Sequence, residues 1–233
     1  MAIYITGDKH GELEMNNLYK RKRNHIKPIS GDKLIIAGDF GLVWSRNPSI
    51  KEKHFINYLN NAAWDTLFVD GNHENHELLA ELPEEARWGS VVGKVSDKIF
   101  HLKRGHVYDI DGHTFLTFGG AQSHDKLNRS LGLDWWREEI PSYQELDLCL
   151  DNIEKHNNIV DFVITHTCPT EITTWIKETY GLLSERDKDP TCQMLSHISS
   201  VLTFKAWYFG HWHKNFSYGK YHCLRHRISR VVP

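Results

Sequence analysis

The fold turns on the stretch Lys33-Leu34-Ile35-Ile36-Ala37-Gly38-Asp39-Phe40-Gly41. Four aliphatic residues follow Lys33 without a polar interruption, and the run stops at Gly-Asp. An apolar run this short, closed by turn residues, reads as a buried strand rather than a helix. The same grammar recurs four times. Ile3-Tyr4-Ile5-Thr6 runs into Gly7-Asp8, and Thr66-Leu67-Phe68-Val69 into Asp70-Gly71-Asn72. Asp161-Phe162-Val163-Ile164-Thr165 runs into His166, and Ala206-Trp207-Tyr208-Phe209 into Gly210-His211. Each polar cluster lies just past the carboxyl end of its strand, where open α/β sheets bind their ligands.

Helical spacing of apolar residues fills the intervals near 12–25, 49–63, 74–81, 142–156 and 190–203. Pro141-Ser142 and Asp189-Pro190 are helix-start signals. Between Val107-Tyr108-Asp109-Ile110 and Thr114-Phe115-Leu116-Thr117-Phe118 stands Asp111-Gly112, which predicts a hairpin. Residues 217–232 alternate like strand. Strand and helix alternate throughout, so the expected class is α/β, with sheets covered by helices. No internal repeat or Pro/Ser-rich linker interrupts the chain, and residues 1–233 read as a single domain.

Composition narrows the function classes. Of 233 residues 40% are hydrophobic and 25% charged, which suits a globular chain able to bury a core without disulfides. The net charge of -2 gives no global field toward nucleic acid or anionic lipid. Lys20-Arg21-Lys22-Arg23 with Lys27 is the local exception, read as a solvated helix face ahead of a patch for an anionic partner. The four cysteines, Cys149, Cys168, Cys192 and Cys223, form no C-x-x-C pair. Reduced thiols are expected, and with them a cytoplasmic protein. No apolar run is long enough for a membrane span and no secretory leader pattern opens the sequence. Histidine is in surplus, at 16.

The clusters in order are Gly7-Asp8-Lys9-His10-Gly11, Gly38-Asp39-Phe40-Gly41, Gly71-Asn72-His73-Glu74, Thr165-His166 and Gly210-His211-Trp212-His213. Taken singly, each has an ordinary reading: Asp8 and Asp39 as turn or cap residues, His166 as a packed histidine. His211 and His213 would point to opposite faces of a continuing strand, so they converge only if the chain turns there. Carboxylate, imidazole and amide donors together suit borderline divalent ions such as Mn, Fe and Zn.

The ordered set resembles the calcineurin-like metallophosphoesterase family, whose motifs run G-D-x-H, G-D-x-G, G-N-H-E, a lone His after a strand, and G-H-x-H. The match spans Asp8 to His213. The resemblance implies a four-layer α-β-β-α sandwich holding two divalent metal ions, Mn foremost, with Fe, Zn or Mg as alternatives. It implies Asp39 as the bridging ligand, with Asp8, His10 and His213 at one ion and Asn72, His166 and His211 at the other. A close pair of ions can clamp a phosphoryl group and make hydroxide available from a bridging water near neutral pH. His73 is then the catalytic residue outside the ligand set, a general acid toward the leaving alkoxide or a donor to a phosphoryl oxygen. Glu74 or another carboxylate would orient it.

A second cluster, Gly119 to Arg129, has two readings of equal weight. It is a phosphate-approach loop whose Lys126 or Arg129 binds substrate, or an ordinary loop. Trp135-Trp136 reads as core rather than as a base-stacking platform. The protein Ser/Thr phosphatase branch carries G-D-x-V-D-R-G, whereas Gly38-Asp39-Phe40-Gly41-Leu42-Val43-Trp44 has no Asp-Arg pair, which argues against phosphoprotein phosphatase activity. Lys9 is an uncommon residue within the first motif. The expected activity is hydrolysis of a phosphomonoester or phosphodiester, with a small phosphoester or nucleotide as substrate. A nuclease of the same family and a non-catalytic scaffold are the alternatives, and oligomeric state is left open.

Overall fold

Thirteen strands and six helices build the residues described by the computed structural model, which are 1–19, 29–181 and 189–232. The basic run at Lys20–Arg23 and Lys27 lies outside them, as does the last part, 20–25, of the helix expected over 12–25. Of its described part, 12–15 form a turn and only α1 (Asn16–Tyr19) is helical.

Strands β1 (Ile3–Thr6), β2 (Lys33–Ala37), β3 (Asp65–Val69) and β6 (Ile99–Leu102) run parallel at the centre of a seven-stranded sheet. Antiparallel β13 (Ser229–Val232) closes one edge, and β5 (Ser90–Ser96) with β4 (Glu84–Arg87) forms the other. The second sheet has six strands. Its parallel centre is β8 (His113–Phe118), β9 (Phe162–Thr165), β10 (Ala206–Phe209) and β12 (Tyr221–Cys223). β7 (His106–Ile110) and β11 (Phe216–Tyr218) pair antiparallel at its margins.

Strand alternation sorts side chains into layers. Ile35, Leu67, Val69 and Phe100 of the first sheet meet Tyr108, Phe115, Ile164 and Tyr208 of the second in one buried cluster between the sheets. The opposite face of the first sheet, through Ile36 and Phe68, packs on α2 (Ile50–Asn60) and α3 (His76–Ala80) by way of Phe55, Leu59 and Leu79. The outer face of the second sheet, through Leu116, Val163 and Trp207, packs on α4 (Tyr143–Lys155), α5 (Thr170–Tyr180) and α6 (Pro190–Val201). The layers are helix, sheet, sheet, helix, as the family resemblance implies.

The local signals explain the elements. Ser142 opens α4 with a reciprocal capping box to Glu145, and Asp189 caps α6 ahead of Pro190. Asp111 (φ 53°) and Gly112 (φ 79°) supply the two left-handed residues of the β7–β8 hairpin. The helix α5 and strands β4 to β6 are not foreseen by the sequence reading. Among the described residues no helix is long and apolar enough to cross a membrane.

Candidate metal centre

Parallel register brings distant residues to one edge. Thr6 pairs with Ile36 and Ala37 with Val69, so the segments after β1, β2 and β3 leave the first sheet side by side. Ile164 pairs with Tyr208, so the segments after β9 and β10 leave the second sheet at a matching level. Asp8, Asp39, Asn72, His166 and His211 sit on these five tips and are all buried.

The chain must turn sharply to aim them inward. His10, Asp39, His211 and His213 adopt φ of 42°, 50°, 62° and 52°, in the left-handed region that non-glycine residues seldom enter. Strain of this kind gathers at functional sites. The turn needed for His211 and His213 to converge is therefore present. Close approach leaves no room for side chains beside the carboxylates: a Cβ on Gly71 would lie 2.1 Å from Asp39 Oδ1, and one on Gly210 2.2 Å from Asp8 Oδ1.

The side chains meet at short range. His166 Nε2 lies 3.3 Å from Asp39 Oδ1 and 3.1 Å from Asn72 Oδ1, while its Nδ1 is 3.6 Å from Asp8 Oδ1. His10 Nδ1 is 3.6 Å from Asp39 Oδ2, and His213 Nε2 is 3.5 Å from Asp8 Oδ2. The Nε2 atoms of His10 and His213 face each other at 3.1 Å. The His211 backbone N–H donates to Asp8 Oδ1 at 2.8 Å, and its ring stands edge-on to His166 at 5.0 Å. Three overlapping groups have donor atoms within 4.8 Å of one another: Asp8, His10 and His213; His10, Asp39 and His73; Asp8, Asp39 and His166.

These residues fit divalent cations on their own chemistry. Asp8 Oδ2 is buried with no hydrogen-bond partner, and an orphaned buried carboxylate oxygen costs several kcal/mol unless a cation or donor meets it, on the order estimated for unpaired buried charge. Imidazole nitrogens converge beside that oxygen, with no thiolate in the group.

The site's own charges pull its protons in opposite directions. Burial would lift Asp39, but the His166 charge and hydrogen bond outweigh it and hold the carboxyl well below its usual range. For Asp8 burial prevails, helped by the Asp39 charge, and its pKa is raised despite His166. Burial disfavours charge on His166, yet Asp39 and Asp8 together lift it to about 10. Burial, then His10 and Arg225, lower His213 to about 4. His73 is lowered by burial first and then by Arg129 and His10, against the pull of Asp39.

Several neighbours escape the sequence reading. Glu74 does not orient His73. It is buried and accepts from the backbone N–H of Phe40 at 2.6 Å and of Gly41 at 3.0 Å, so it fixes the turn that carries Asp39. Burial and the Asp39 charge raise its pKa well above normal. Arg129 takes the place expected for a carboxylate. Its guanidinium nitrogens lie 3.2 Å from His73 Nδ1 and Nε2, and Asp125 accepts from it at 2.8 Å. Lys126 stands on a short 3-10 turn (Lys126–Asn128), and no described hydrogen bond or ion pair joins its ammonium to the cluster.

Asn72 has support that no local pattern announces. Its Nδ2 donates to Ser123 Oγ at 3.0 Å, and Ser123 in turn donates to buried Glu139, through Oγ at 2.6 Å and N at 2.8 Å. With its nitrogen held there, the amide oxygen faces His166. The Gly119–Arg129 segment thus contacts the cluster at two points, Ser123 at Asn72 and Arg129 at His73. Lys9, at 1% exposure, donates to Thr6 Oγ1 at 2.9 Å and to the backbone oxygens of Asp8 at 3.1 Å and Arg225 at 2.9 Å. Trp136 is buried, in accord with the core reading, with its ring edge-on to Trp44.

Comparison with known proteins gives the same direction. Residues 1–215 match the family model described as calcineurin-like phosphoesterase. Lariat debranching enzyme of Schizosaccharomyces pombe (strain 972 / ATCC 24843) is 28% identical over 187 residues, covering 74% of this chain. The chain spans 38% of that enzyme's length.

Proposed function

Because the chain belongs to the calcineurin-like phosphoesterase family, a family of metal-dependent hydrolases, we propose that it hydrolyses phosphomonoesters or phosphodiesters at a dinuclear centre built on this cluster. The observation that carries the reading is the convergence of Asp8, Asp39 and His166, with donor atoms within 4.8 Å, together with a buried Asp8 Oδ2 that has no hydrogen-bond partner. Asp39 is the shared ligand. Asp8, His10 and His213 complete one position; Asn72, His166 and His211 complete the other. Bound divalent ions, Mn foremost, would offset charge on phosphoryl oxygens and bring water into the acidity range of neutral solution.

The chain's own residues do the rest. His73 stands beside His10 at 5.0 Å between ring centres, outside the ligand set proposed here. Its lowered pKa keeps the ring neutral near pH 7, where its remaining N–H donates to a phosphoryl or leaving oxygen. Arg129, held by Asp125, adds fixed positive charge beside His73 and binds the phosphoryl group as it arrives. Lys126, earlier on the same loop, is the second candidate for binding the substrate. The Ser123–Glu139 pair keeps the Asn72 oxygen facing inward. All four cysteines are buried and outside any disulfide, which supports the proposal of a reducing, cytoplasmic setting.

The test is to strip the purified protein of metal, supply Mn, and assay aryl phosphate mono- and diesters. Mn-dependent turnover of at least one is expected; none with either would end the proposal. The similarity to lariat debranching enzyme favours a second reading, a nuclease. Steep salt dependence of oligonucleotide binding is its mark.

A further inference from the structure

A groove opens directly off the cluster, with His10 and His73 forming the end where the two join. Its volume is about 470 Å³, in the range of small-molecule sites and larger than a phosphoryl group requires. Leu13 and Trp44 supply its apolar walls, and Glu12 and Glu52 its charge. No Lys or Arg stands among the described residues that line it. Arg46, the nearest guanidinium in sequence, is committed elsewhere, donating to both carboxylate oxygens of Glu81 at 2.5 and 2.7 Å.

The walls are fixed. The Trp44 backbone N–H donates to Glu52 Oε1 at 3.1 Å, and its carbonyl accepts from Asn75 Nδ2 at 2.9 Å. Its indole is braced at right angles against Trp136, with 5.6 Å between ring centres. Ser49 accepts from the Glu52 backbone N–H at 3.0 Å and donates to the Glu12 carboxylate, so one hydroxyl caps α2 and fixes Glu12 in the groove, while the Glu52 carboxylate is held by the Trp44 N–H. A rigid aromatic wall with fixed acceptors loses little entropy on binding a flat, donor-bearing group. Two carboxylates repel a ligand that brings further negative charge.

Resting on the phosphoesterase reading above, we propose that this groove receives the leaving alcohol of the substrate, and that this alcohol is an uncharged nucleoside. The base lies against Trp44, and its amino and hydroxyl groups donate to Glu12 and Glu52. The phosphoryl group then sits at the His10–His73 end. A nucleoside monophosphate fits this arrangement. A nucleoside diphosphate does not, because its leaving group would carry a second phosphate into an acidic groove.

Two measurements on the full chain test this. Saturation-transfer NMR with adenosine, which has no phosphate, reads the groove without hydrolysis. Adenosine binding is expected for the wild-type protein and at least about tenfold weaker binding for Trp44→Ala, the scale of a lost aromatic stack. Kinetics of the Mn-loaded protein should give AMP a kcat/KM at least about tenfold above that for ADP, with Glu12→Lys narrowing the ratio. No adenosine binding, binding indifferent to Trp44→Ala, or equal use of AMP and ADP would each overturn the assignment. Turnover of p-nitrophenyl phosphate alongside any of these would leave the phosphoesterase reading standing. Adenosine binding that depends on Trp44, with no ester hydrolysed, would instead support the groove and remove that reading.

Discussion

Asp39 reaches His166, His10 and the His73 backbone at once. One carboxylate oxygen lies 3.3 Å from His166 and accepts from the His73 backbone N–H at 2.8 Å; the other faces His10 at 3.6 Å. Asp39→Asn removes the charge from both proposed ion positions while keeping the shape. Mn-dependent activity should fall at least about a hundredfold, whereas His124→Ala, at an exposed position, should change it less than about twofold. Equal losses would refute the bridging role. A second residue-scale expectation concerns Ser123. Ser123→Ala removes the acceptor that holds Asn72 Nδ2 and should weaken Mn binding by about ten- to a hundredfold, the usual effect of losing a ligand's support. Calorimetry that finds unchanged affinity would show that Asn72 needs no such help. The proposed ligand residues were legible in the sequence because each sits one to four positions past a strand, inside a motif. Ser123, Glu139 and the true role of Glu74 were not, because their partners are set by folding rather than by spacing. Glu139 lies 16 residues from Ser123 with no shared pattern. Arg129 was one of two candidates on its loop, and only the tertiary contact with His73 separates it from Lys126.

At the scale of elements, the strand-to-turn junctions matter more than the strands. The five apolar runs that end in polar clusters all form parallel strands, and their boundaries could be read because burial on both faces leaves an uninterrupted apolar signal. The strands β4 and β5 could not. Their burial is only partial and they stand at a sheet edge, so little in Glu84–Arg87 or Ser90–Ser96 marks them apart from loop. The helix α5 was missed although Ile172 and Ile176 stand four apart on its buried face, since its first turn follows Pro169 with no side-chain cap. A junction-scale prediction follows from Gly210, which links β10 to the turn at His211. A Cβ there would lie 2.2 Å from Asp8 Oδ1 and 2.8 Å from the Ala37 carbonyl oxygen. Gly210→Ala must therefore displace a proposed ligand or the adjoining strand end. Mn affinity should drop by more than about tenfold with far-ultraviolet circular dichroism intact, as expected of a displaced ligand. An unperturbed affinity would mean that the turn can yield without moving Asp8.

For the whole molecule, the two sheets are joined near the site by buried charge as well as by apolar packing. Arg104, between β6 and β7, donates to Asp70 at the tip of β3 and reaches Glu145 on α4, so one guanidinium connects both halves of the sandwich. His76 on α3 lies in the same region, buried, with its Nε2 unpartnered. Burial, and then the Arg104 charge, lower its pKa from 6.5 to about 3. Since the folded value is depressed, the unfolded chain takes up this proton first as pH falls. The contribution to stability is complete above pH 6.5 and is lost progressively toward pH 3. A shift of this size corresponds to a few kcal/mol over that interval, roughly 1.4 kcal/mol per pH unit at most. Urea unfolding of the protein in chelator should therefore show stability declining between pH 6 and 4, before ordinary carboxylates titrate fully, and His76→Leu should flatten that limb. A wild-type limb that His76→Leu leaves unchanged would place the acid sensitivity elsewhere. A flattened limb would mean that acid first loosens the helix-covered flank beside β3, the strand from whose tip Asn72 enters the site.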